Sequence, residues 1–69
     1  MRLTFRFGSD TNENWFRSFM LEEYPMLEEN LRRVGPSLVL YGVYVSDQDI
    51  ERIEDEAHVL GATITRSPD

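Results

Sequence analysis

From Leu38 to Val45 the chain runs Leu-Val-Leu-Tyr-Gly-Val-Tyr-Val, without a single charged side chain. β-Branched and aromatic types dominate the run, which favours extended backbone. Side chains alternate between the two faces of a strand, so here neither face can be fully wet. The run therefore demands a sheet with another layer packed over it. At 69 residues, 1–69 has room for one small domain. A chain of that size buries only about 60% of the surface its unfolded form exposes, so its core is thin. There is no Cys to add a disulfide or a thiolate metal site.

The flanking sequence supplies the other layer. Leu3, Phe5 and Phe7 alternate with Arg2, Thr4 and Arg6, the period of a half-buried strand that ends at Gly8-Ser9. Asp10, with Glu13 three residues on, fits a helix start. Trp15, Phe16, Phe19, Met20 and Tyr24 then recur at helical spacing and predict a helix over 12–23, with these aromatics as core. Pro25 stops that helix and suits the first turn of a second over 25–33, with Leu27, Leu31 and Val34 inward and Gly35 as its left-handed terminator. The Leu38–Val45 strand follows. Ser46 caps a third helix carrying Ile50, Ile53, Ala57 and Leu60 on one stripe, closed by Gly61, and a last strand covers 62–65. The expected fold is α+β, a two-layer sandwich. A three-stranded sheet would carry the helices on one face, in the order β-α-α-β-α-β.

Seven Arg and no Lys stand against thirteen Asp and Glu, a net charge of −6. Such a body repels nucleic acid and anionic membranes and attracts a basic protein surface. The expectation is thus no direct nucleic acid and no membrane partner. No apolar run reaches the ~20 residues of a membrane span and no signal segment opens the chain, which points to the cytoplasm. Catalysis is poorly supplied: His58 is the one imidazole, no phosphate loop is present, and each Ser and Thr has a local structural role. No catalytic residue, metal or cofactor is expected, and the protein reads as no enzyme.

The carboxylates say most. Asp47, Asp49, Glu51, Glu54, Asp55 and Glu56 fall within ten residues, broken only by Arg52. Asp47, Glu51, Glu54 and Asp55 are expected on neighbouring turns away from the Ile50/Ile53 stripe. Like charges four apart weaken a helix by a few tenths of a kcal/mol per pair. The second helix, by contrast, is expected to pair Glu28 with Arg32 and Glu29 with Arg33. A negative ridge, extended by Glu22 and Glu23, resembles a phosphate backbone and suits an Arg/Lys groove; its plainer explanation is a solvated face that keeps the protein soluble. The open sheet face would show Arg6, Tyr41 and Val43, with Arg2, Thr4, Thr63, Thr65 and others of Val39 and Val45. Its apolar share fits a homodimer or a docked partner.

Gly42-Val43-Tyr44, the capped helix, Gly61 and Ala62-Thr63-Ile64 resemble the final third of ClpS-type degron adaptors. They are also similar to the C-terminal domain of the bacterial ribosomal stalk protein, and Ser9-Asp10-Thr11 after the first strand adds to the likeness. The resemblance implies that fold, and for an adaptor it would put Asp10 on the amine of a destabilising N-terminus. The second helix offers Arg32 and Arg33 where those adaptors carry a histidine, and the Lys-rich stalk surface has no counterpart. The leading expectation is a non-enzymatic inhibitor presenting its acidic helix to the nucleic-acid-binding groove of another protein, by analogy with some phage anti-CRISPR proteins. The alternative is an adaptor-like peptide-binding or stalk-like module.

Overall fold

The computed structural model describes residues 1–41 and 45–68. Its elements are β1 (Arg2–Arg6), α1 (Asp10–Glu23), a 3-10 turn (Pro25–Asn30), β2 (Leu31–Val34), β3 (Ser37–Leu40), α2 (Asp47–Val59) and β4 (Thr63–Ser67). The class is α+β, with the helices on one face of the sheet. The sheet has four strands, not three, in the order β2-β3-β1-β4, and every neighbouring pair is antiparallel. The chain therefore follows the split βαβ plan, strand-helix-strand twice over.

The extra strand replaces the second half of the expected second helix. Pro25 ends α1, and the chain makes only a short 3-10 turn that buries Leu27. Leu31 then pairs with Leu40, Arg32 with Val39, Arg33 with Leu38 and Val34 with Ser37. Gly35 is left-handed (φ +59°), yet it turns a hairpin instead of ending a helix. With Pro36 it makes a two-residue loop whose first central position needs positive φ, which Gly adopts without a Cβ penalty. The Glu28–Arg32 and Glu29–Arg33 pairs do not form, because a strand does not bring residues four apart together.

The other boundaries shift less. Ser9, not Asp10, caps α1: its Oγ accepts from the Asn12 amide at 3.2 Å, and Asp10 sits in the first turn. Ser46 caps α2 as expected, accepting from the Asp49 amide at 3.2 Å. Gly61 (φ +81°) closes α2, with its own amide on His58 and the Ala62 amide on Ala57, both at 2.9 Å. The central strand ends at Leu40; Gly42, Val43 and Tyr44 lie outside the described residues, and Val45 packs against the core.

The core lies between the layers. Leu3, Phe5, Leu38 and Leu40 point from the sheet; Phe16 and Met20 of α1, Ile50, Ile53 and Ala57 of α2, and Tyr24 and Leu27 between them close over it. Phe16 is the joint, with its ring 4.8 Å from Phe5, 5.3 Å from Phe7 and 6.1 Å from Phe19. Trp15 is not core: it is 65% exposed, one residue off the inward stripe.

Candidate interaction surface

The acids of α2 do not form one ridge. At about 100° per residue, positions 47, 51 and 54 drift to one flank and 49, 52 and 56 to the other, leaving Asp55 outermost. The first flank faces β4. There Arg66 grips Glu54 with both arms of its fork, Nε on Oε2 at 2.8 Å and Nη2 on Oε1. The Arg66 hydrogen bonds hold the Glu54 carboxyl below its ordinary value, against an opposing effect of burial. Glu54 in turn raises the Arg66 guanidinium, with smaller contributions from Asp47 and Glu51. Glu54 is thus neutralised within the fold, and the expectation of an unpaired ridge is corrected at this residue. β4 antiparallel to β1 puts Arg66 on the core side of the sheet, opposite Leu3, where it meets α2.

The second flank faces α1. Asp49 accepts from the Tyr24 hydroxyl at 3.1 Å and from Ser46 Oγ at 3.0 Å, so it works as a capping residue. Burial first, and then Asp49, pushes the Tyr24 hydroxyl above its ordinary value. Arg52 donates to Glu23 at 2.7 Å while lying 5.9 Å from the Phe19 ring centre, so Glu23 is also paired. Between the helices runs an open cleft of about 270 Å³, lined by Trp15, Phe19 and Leu60 with Glu22, Glu23 and Glu56 along it. This aromatic and acidic cleft is absent from the sequence-level expectation. Trp15 followed by Glu22 and Glu23 on one helix was its available signal, and only packing shows that Glu56 joins them.

Four of the seven expected contact residues remain without a hydrogen bond or ion pair among the described residues: Asp47, Glu51, Asp55 and Glu22. Asp49, Glu54 and Glu23 are engaged. Glu13, buried under β2, is a carboxylate of another kind; Arg33 reaches it at 3.1 Å and approaches Asp10 at 3.8 Å. A cation thus already stands beside Asp10, where an adaptor would seat an ammonium.

His58 is exposed in the last turn of α2. Among the described residues no group of three or more His, Cys, Asp or Glu could hold a metal ion, and no helix is long and apolar enough to cross a membrane.

The open face of the sheet differs from expectation in composition. Strand alternation and register place Arg2, Thr4, Arg6, Arg32, Val34, Ser37, Val39, Thr63, Thr65 and Ser67 there, with Tyr41 beside Arg2. Val39 is buried yet stands outside the core cluster, covered by its neighbours on this face. Val45 belongs to the core side instead. Val43 lies outside the described residues.

Compared with known families, with curated proteins and with solved structures, the chain matches none.

Proposed function

We propose that this protein is a non-enzymatic binding module that presents its acidic helix layer to a basic surface of another protein. It would act as an inhibitor by occupying a groove built for nucleic acid. The observation that carries the proposal is the set Asp47, Glu51, Asp55 and Glu22, without a hydrogen bond or ion pair among the described residues, the last of them lining one cleft with the exposed Trp15. Arg33, Arg52 and Arg66 are each committed to another carboxylate, and Arg66 acts on Asp47 and Glu51 only by a weaker attraction without an ion pair. A guanidinium arriving from outside therefore meets charge that the fold has cancelled only in part, and beside Glu22 Trp15 offers it a ring face and apolar area. The soluble-face explanation accounts for the charge but not for a large aromatic left in water beside Glu22 and Glu56.

The test is a titration against basic nucleic-acid-binding proteins of the native host. Asp47→Arg, Glu51→Arg and Asp55→Arg together are expected to abolish binding with the helix content of α2 unchanged by circular dichroism. Trp15→Ala is expected to cost about 2 kcal/mol of affinity. Nucleic acid should compete for the same groove, and added salt should weaken the complex. Affinity indifferent to both charge reversal and salt would refute the proposal.

A further inference from the structure

Three of the seven Arg lie on one face of the molecule. Arg2 and Arg6 project from β1 and Arg32 from β2, on the side of the sheet that no helix covers. None of them forms an ion pair among the described residues, and the outward positions of the described strands include no carboxylate. Among the described residues the outward strand positions thus carry three Arg and no carboxylate, and Glu29 lines a groove with Arg32 and Tyr41 at the edge of this face. Between these Arg lies a shallow groove of about 240 Å³, bounded by Arg2, Thr4, Val34, Ser37, Val39 and Tyr41.

We infer that this face binds a second copy of the chain, by receiving the outer side of that copy's α2. Spacing and charge both match. Asp47, Glu51 and Asp55 follow one another at four residues, so their line is about 12 Å long. Arg2 and Arg6, four residues apart on an extended strand, are about 13 Å apart. A helix about 10 Å across, laid over β1 and β3, meets Arg32 at its flank. One turn beyond Asp55 on the same line stands Val59, 78% exposed.

Other occupants fit less well. Two sheets meeting face to face, the simple homodimer, would oppose Arg2, Arg6 and Arg32 to their own copies. A single-stranded nucleic acid needs a row of stacking rings, and Tyr41 is the one aromatic among the described residues of this face. The donor and acceptor surfaces lie on opposite sides of each molecule. They cannot close a two-fold pair, so association runs head to tail. It uses the same α2 line as the function proposed above but adds a surface which that function does not need.

Sedimentation and light scattering over a concentration series provide the test. At low salt the mass should rise with concentration, and at high salt it should fall to that of a single chain. Two bodies of like net charge would show the opposite salt response if local pairing were absent. Arg2→Gln, Arg6→Gln and Arg32→Gln together should weaken association at least about tenfold while leaving partner binding intact. That last result separates this inference from the proposed function. Two charge-reversed proteins, one carrying Asp47→Arg, Glu51→Arg and Asp55→Arg and one carrying Arg2→Glu, Arg6→Glu and Arg32→Glu, should each be monomeric. Mixed, they should form a one-to-one complex, which also shows that both fold. A single-chain mass at every concentration, an association strengthened by salt, or a mixture that stays apart would overturn the inference. So would binding of a labelled single-stranded oligonucleotide by a chain that never self-associates.

Discussion

The helix layer and the open face of the sheet carry opposite charge, and they treat it differently. On the helix layer Arg33, Arg52 and Arg66 are each committed to a carboxylate, and Glu13, Glu23 and Glu54 are thereby taken out of play. On the sheet Arg2, Arg6 and Arg32 point outward and form no ion pair among the described residues. Neighbours on one strand show the contrast best. Arg33 turns inward to the buried Glu13, while Arg32 turns outward beside Val39. A net charge of −6 describes neither side. Which charges are available to a partner depends on which layer each side chain points toward.

The contrast can be broken at its joint. Phe16 is fully buried and links the aromatic group of α1 to the sheet. Phe16→Ala should cost about 3–5 kcal/mol, enough to unfold much of so small a domain. Urea denaturation should therefore show a lost or strongly lowered midpoint, with both surfaces gone together.

A smaller effect sharpens it. Arg33→Ala leaves the Glu13 carboxylate buried without its cation. Since Arg33 is itself half exposed, the cost should be about 1–2 kcal/mol, short of that for a fully buried pair. Arg32→Ala, one residue away, should stay within about 0.5 kcal/mol. Equal losses at the two positions, measured by thermal denaturation, would erase the distinction between inward and outward Arg.

The smallest effect depends on pH. The Glu54 carboxyl is depressed in the folded protein by its hydrogen bonds to Arg66. The folded state then binds fewer protons than the unfolded state just below the ordinary carboxylate range. The resulting stability is complete above that range and is lost as pH falls through the depressed folded value. Wild type should be more stable than Glu54→Gln at neutral pH, and the gap should narrow on acidification. A gap independent of pH would show that Arg66 does not hold this carboxylate in solution.

Much of the local structure was legible. Alternation at Leu3, Phe5 and Phe7 gives β1, Ser46 and Gly61 bracket α2, and the single stripe on each helix requires a one-sided sandwich. The hairpin was not legible as read. Arg32-Arg33-Val34 carries no clear period of two, and Glu28 and Glu29 offered plausible helical partners. Gly35-Pro36 between two short runs was the hairpin signal present in the sequence.

The sequence alone determined what each segment could satisfy within itself: helix hydrogen bonds close over four residues, and caps act within three. Tertiary structure decided what depends on distant neighbours. It paired Leu31 with Leu40 to make a fourth strand, brought Arg66 onto Glu54 and Arg52 onto Glu23, left Trp15 outside, and gathered three Arg on one face. These outcomes follow from strand register. Side chains alternate across a sheet, so register alone sets which charges turn inward to cancel and which stay in water.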